Sequence, residues 1–209
     1  MIEVYVYVQD TMADWEAGFI MAELKTGRFF RKGAPEVRLT TVGISLDPVT
    51  TMGGLNVVPE GTLDDVVDGV DTVLILPGSD RWIGSDNSKV VDVVGRVLSS
   101  GGTVCAICAA TAVLAQNGML DYRRHTSNGP GFLEMFAPGY TGSEYFVNEP
   151  AVSDGNVITA GSHGGLLWAK LILEHMGVFS GETLDHWYRY FSTGDVDSYY
   201  AMVDSVDCG

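Results

Sequence analysis

Cysteine is scarce in this chain: Cys105, Cys108 and Cys208 are the only three among 209 residues. Three thiols build no disulfide framework, which argues against a stapled secreted scaffold and agrees with a reducing compartment. Positive charge is scarce too. Twelve Lys and Arg stand against 27 Asp and Glu, a formal net charge of −15. That balance argues against nucleic acid or an anionic membrane as partner, because both need a cationic face. No apolar run approaches the ~18 residues a membrane-crossing helix requires. The opening stretch, MIEVYVYVQD, has neither the basic start nor the small-residue cleavage site of a signal peptide. The expectation is a cytoplasmic protein that begins on a strand.

Several chemical signatures are missing as well. No G-x-G-x-x-G follows the first strand and no P-loop lysine is found, so nothing supports nucleotide binding. GSHGG at 161–165 is not G-x-S-x-G, which makes Ser162 a poor serine nucleophile. His, Cys and carboxylates do not cluster at metal-site spacing. Neither a cofactor nor a metal is expected; a small-molecule substrate is.

What is present is an alternation of strand-length apolar runs with helical periods. Residues 2–8 and 36–42 read as strands, and 14–25 as a helix between them. Residues 71–76 (DTVLIL) form a continuous apolar run that ends in Pro77-Gly78, the mark of a strand covered on both faces. Val90, Val93, Val94, Val97 and Leu98 recur at helical spacing over 88–99, and Gly101-Gly102 ends that helix. Strand 103–107, helix 109–117, strand 156–160 and helix 164–176 complete the series. Such alternation predicts an α/β fold with a mostly parallel sheet between helical layers. The chain divides into one domain over 1–180 and an aromatic, acidic segment over 181–209, expected as a docked helix plus tail that covers either the pocket or a subunit interface.

In a parallel sheet the C-terminal strand ends share one edge, where ligands bind. Topology therefore gathers four junctions there: Glu16 after the first strand, Pro77-Gly78-Ser79 after 71–76, Cys108 after 103–107, and Gly161-Ser162-His163 after 156–160. Cys108 sits where a strand turns into a helix, and the unpaired amides of a helix start favour thiolate over thiol. A thiol in apolar surroundings is ordinarily inert; this position reads instead as a nucleophile elbow with small neighbours, Ala109 and Ala110. Cys105 lies mid-strand and reads as core filler, which also argues against a C-x-x-C redox pair, while Cys208 has no site around it. Glu16, placed in a helix's first turn, either complements the helix dipole or holds a proton beside the sulfur. His163 is the candidate base or a turn histidine. His125, His175 and His186 have no reason to reach Cys108.

The pattern resembles the ThiJ/PfpI superfamily, cysteine-centred relatives of the class I glutamine amidotransferases. AICAAT around Cys108 is similar to that family's elbow and DWE to the segment that carries its glutamate, here Glu16. LILPGS, TSN at 126–128 and VITAGS at 157–162 match further landmarks in order. The resemblance runs from residue 2 to about 178. It implies a flavodoxin-like three-layer sandwich, commonly a homodimer, with an oxyanion site formed by the backbone N–H groups of Ser79 and Ala109. Gly78 and Asn128 fall at binding positions of the same edge. The chain departs from the pattern at three places. Ala109 stands where protease and amidase members carry His, Asn128 where others have a histidine, and Ser79 where the turn has a second glycine. The resemblance thus implies a cysteine-dependent hydrolase- or amidase-like enzyme acting on a small electrophile, with peptidase activity disfavoured. The alternatives are a sensor whose elbow cysteine is oxidised to a sulfinate and a non-catalytic binding module.

Overall fold

The computed structural model describes residues 1–207, and Cys208 lies outside the described residues. In chain order the elements are β1 (Ile2–Tyr7), α1 (Gly18–Thr26), β2 (Val37–Gly43), β3 (Val49–Thr50), β4 (Asn56–Val57), β5 (Gly61–Thr62), β6 (Thr72–Leu76), α2 (Ser88–Ser99), β7 (Thr103–Ile107), α3 (Ala110–Gln116), α4 (Phe132–Phe136), β8 (Ala151–Asp154), β9 (Val157–Ala160), α5 (Gly165–Met176), α6 (Gly181–Thr193) and α7 (Val196–Asp207). Seven strands make one sheet in the order β5-β2-β1-β6-β7-β9-β8. Every pairing in it is parallel except the last, where β8 runs antiparallel to β9. The expected parallel α/β architecture is what forms. β8 was not anticipated, because AVSD has no apolar run to announce a strand. It is a short edge strand, paired to β9 and packed through the buried Ala151 and Val152.

The strand period of two divides the core into two faces. Val4, Val6, Ile75, Cys105, Ile107 and Ile158 pack with α1, α5 and α6 on one side. Tyr5, Tyr7, Leu74, Leu76, Val104 and Ala106 face α2, α3 and α4 on the other. The valine stripe of α2 is buried as its spacing predicts. Beyond residue 180, α6 buries Trp187, whose indole N–H donates to Glu23 Oε1 of α1 at 3.0 Å. The stretch expected as a tail is helical, and α7 sends Met202 into the same core. Among the described residues no helix is long and apolar enough to cross a membrane.

One boundary matters for the site. α1 begins at Gly18, not at residue 14, so Glu16 lies in a turn ahead of the helix instead of in its first turn. The turn wins because its backbone is committed elsewhere. Ala13 N–H donates to Gly78 O at 2.9 Å and Glu16 N–H to Ala13 O at 3.3 Å. Asp14 takes the Thr51 hydroxyl and the Gly53 N–H from the β3–β4 hairpin, at 2.5 and 2.6 Å.

Candidate active site

The chain leaves β7 at Ile107 and bends sharply at Cys108, which holds φ +60°. A non-glycine residue in the left-handed region is strained by about 1–3 kcal/mol and must be held there by its surroundings. Cys108 N–H donates to Ala160 O of β9 at 2.9 Å, while its carbonyl accepts from Thr111 N–H at 3.1 Å. The Thr111 hydroxyl adds a bond to that carbonyl at 2.6 Å and meets the Ser127 hydroxyl at 2.6 Å. The elbow is thus tied to the strand beside it, to the helix after it and to the 125–128 segment.

That segment has its own anchors. His125 is fully buried. Its Nδ1 lies 2.7 Å from Arg123 O and its Nε2 2.7 Å from the Tyr140 hydroxyl. Burial pushes the imidazole below its ordinary range and pushes the Tyr140 phenol up to about 12. Thr126 N–H donates to Thr159 Oγ1 at 2.9 Å, and its hydroxyl to Glu149 O at 2.7 Å. Asn128 is thereby delivered, exposed, above the sulfur. Its Oδ1 accepts from Ser162 N–H at 2.8 Å, which leaves Nδ2 to donate to Cys108 Sγ at 3.2 Å. Since a backbone N–H can only donate, the orientation of the amide is determined.

Glu16 approaches from the opposite side with no exposed surface. Its Oε2 accepts from Gly78 N–H at 2.7 Å and its Oε1 from the Ser162 hydroxyl at 2.6 Å. Burial outweighs these bonds and raises the carboxyl above its ordinary range. Gly78 is a glycine for want of space: a Cβ there would overlap Glu16 Oε2 and sit 2.7 Å from Cys108 Cβ.

The half-buried thiol is also raised. Burial is the main cause and a negative charge on Glu16 adds to it, against the pull of Asn128, the Ala109 N–H and Ser162. The expectation that the helix start alone would favour thiolate is therefore corrected: desolvation wins. Carboxyl and thiol share a buried site where two negative charges oppose each other, so they titrate as a pair.

The other expected residues are placed as follows. Ala109 is the N-cap residue of α3. Ser79 is extended, at φ −163° and ψ 153°, so a serine meets no strain where the resemblance had a glycine. Its hydroxyl donates to Asp10 O at 2.7 Å and accepts from Arg81 N–H at 3.0 Å. His163 is exposed on a 3-10 turn, with its ring against Gly161, and contributes none of the hydrogen bonds to Cys108. Cys105 is wholly buried and its thiol is driven far above the ordinary range. Sequence reasoning missed Ser162 as a partner of both Glu16 and Asn128, having weighed it only as a nucleophile. It also missed the Thr111–Ser127 and His125–Tyr140 supports, which no local pattern announces. Among the described residues no group of three or more His, Cys, Asp or Glu is placed to hold a metal ion.

A sequence profile of the DJ-1/PfpI family matches residues 2–175. The chain belongs to this family. YoaZ of Bacillus subtilis, a family relative named an uncharacterized protease, is 37% identical over 205 residues, covering 98% of each chain. The crystal structure of a ThiJ/PfpI family protein from Bacillus anthracis matches with a TM-score of 0.94 at 36% identity, covering 98% of this chain and 96% of that one. A Caenorhabditis elegans protein named glutathione-independent glyoxalase DJR-1.2 is 30% identical over 138 residues, 63% of this chain and 69% of its own. DJ-1/PfpI relatives thus carry both protease and glyoxalase names.

Proposed function

We propose that this protein is a cysteine-dependent enzyme that attacks a small electrophilic carbon: an amide, a nitrile-like carbon or a reactive carbonyl. The observation that carries the reading is the setting of Cys108: Asn128 Nδ2 donates to its sulfur, and the buried Glu16 carboxyl packs against the same glycine, Gly78, as its Cβ, held there by Gly78 N–H and the Ser162 hydroxyl. Cys108 is the nucleophile. Glu16, packed with Cys108 against Gly78 and raised above the ordinary carboxyl range by burial, accepts its proton as the sulfur attacks and returns that proton to the departing or newly formed oxygen or nitrogen. The N–H groups of Ala109 and Ser79 hold the developing oxyanion. This chemistry needs no histidine beside the nucleophile, which fits Ala109 at that position.

A second reading draws on the same donors. The Asn128 amide that meets the sulfur would also receive an oxygen of a sulfinate, formed when peroxide oxidises the thiolate in two steps. One experiment separates the readings: wild type and Cys108→Ser are incubated with an electrophile panel (amide, nitrile, 2-oxoaldehyde) and, separately, with mild peroxide, following product and intact mass. Turnover present in wild type and lost in the variant supports the enzyme. A stable gain of two oxygens without turnover supports the sensor. Turnover that survives in Cys108→Ser overturns both.

A further inference from the structure

Among the described residues one buried side-chain nitrogen has no hydrogen-bond partner: Gln9 Nε2, just past the end of β1. A donor left bare in the interior is destabilising, so its presence asks for a reason. Gln9 lines a cavity of about 220 Å³ where β1 and β2 run out. Tyr7 lines the same cavity and is 5% exposed. Its hydroxyl has no hydrogen-bond partner among the described residues, and burial alone pushes the phenol up. Two polar groups without partners thus share one hollow, at the sheet edge where parallel strands bind ligands. The exposed Arg81 and the acidic Asp10, Asp47 and Asp86 complete its charged lining. Arg81 meets Asp10 Oδ2 at 3.6 Å, the longest ion pair among the described residues, too long to occupy its guanidinium fork. Neither Cys108, Glu16 nor Asn128 lines this cavity, which sets it apart from the thiol.

We infer that this cavity binds a small zwitterion of the amino-acid class through Gln9, Tyr7, Arg81 and the three aspartates. Gln9 Nε2 and the Tyr7 hydroxyl both donate and neither has a protein acceptor, so the ligand must bring one. Arg81 selects a carboxylate among acceptors, because its planar fork matches two carboxylate oxygens. A plain anion would also face Asp10, Asp47 and Asp86, in a chain of net charge −15. An ammonium beside the carboxylate answers those three side chains. Size agrees with this class. At ~30 Å³ for each water-sized atom, the cavity has room for about seven non-hydrogen atoms. Glycine, alanine and serine fit within that limit, and an aromatic amino acid does not. Binding here asks nothing of Cys108.

The test is an NMR titration of the isotope-labelled protein with glycine, L-alanine and L-serine, following the Gln9 side-chain amide and the Arg81 Nε–H. Acetate and methylammonium, each carrying one charge of the zwitterion, are titrated alongside. At least one of the three amino acids should shift both signals saturably, with acetate and methylammonium about tenfold weaker or more. Gln9→Leu and Arg81→Gln should each weaken that binding about tenfold, the loss of one charge-assisted hydrogen bond. Cys108→Ser should bind as wild type does. Melting curves establish that the variants fold, and because Arg81 is exposed, Arg81→Gln reads binding even where Gln9→Leu does not fold. No saturable shift with any of the three amino acids would mean that the cavity holds solvent alone, and overturns the inference. Acetate that binds as tightly as the amino acids overturns the zwitterion assignment. Binding unchanged in Gln9→Leu and Arg81→Gln places the ligand elsewhere and overturns it as well.

Discussion

Substituting Gly78→Ala perturbs the contact on which the site geometry depends. Gly78 is not at positive φ, so alanine suits its backbone, and the loss of unfolded-state freedom alone would stabilise the protein by about 0.4–1 kcal/mol. Sterics oppose this. The new methyl would overlap Glu16 Oε2 and stand 2.7 Å from Cys108 Cβ, and neither neighbour is free to yield. Glu16 is held by Gly78 N–H and Ser162, and Cys108 by the Ala160 carbonyl and Thr111. Overpacking of a fixed site costs about 1–3 kcal/mol, which exceeds the entropic gain. The expected result is a net destabilisation of about 1–2 kcal/mol in urea unfolding, together with slower alkylation of Cys108 as the carboxyl is displaced. In a Glu16→Ala background half of the clash disappears, so the cost of Gly78→Ala should fall by about 1 kcal/mol, a coupling that a double-mutant cycle isolates. A Gly78→Ala protein as stable as wild type, or a cost independent of residue 16, would refute the steric reasoning.

Three further outcomes follow from the same geometry. The Glu16 carboxyl is raised above its ordinary value of 4.5, so its contribution to stability is fully present below that pH and lost as pH rises through the native value; Glu16→Gln should therefore gain stability relative to wild type between pH 4.5 and 7.5 in urea titrations, and a flat or falling difference would count against it. His125, lowered from 6.5, contributes stability above that value that is lost as the medium acidifies; Tyr140→Phe removes its Nε2 partner and should cost about 1 kcal/mol in urea unfolding at pH 7.5. Iodoacetamide should label Cys105 only after unfolding, while Cys108 reacts in the native protein with a rate that climbs with pH beyond the ordinary thiol value of 9.0; a labelled Cys105 under native conditions, seen by peptide mapping, would contradict its burial.

The parts of this molecule legible in the sequence are those written in short-range pattern. DTVLIL announces a strand covered on both faces, the valines of 88–99 announce an amphipathic helix, and one shared sheet edge brings Glu16 and Cys108 together. The parts that escaped depend on distant partners. Glu16 falls outside α1 because Ala13 is engaged by Gly78, 65 positions along the chain. β8 exists because β9 offers it an edge. Asn128 reads as part of a polar connection until Thr159 and Glu149 anchor Thr126 beside it. Ser79 departs from a family glycine, but its extended backbone needs none. The pKa balance at Cys108 was equally out of reach, since it turns on how deeply the sulfur is buried.

The hydroxyl of Ser162 and the carboxyl of Glu16 stand 146 positions apart, and the amide that meets the sulfur comes from a third stretch of chain. During synthesis Glu16 therefore emerges before the thiol, and Asn128 and Ser162 after it. A chain that ends before Asn128 carries the cysteine and Glu16 without the amide and hydroxyl that complete the site. Reactivity at this sulfur becomes a property of the finished molecule, withheld until the ninth strand has taken its place.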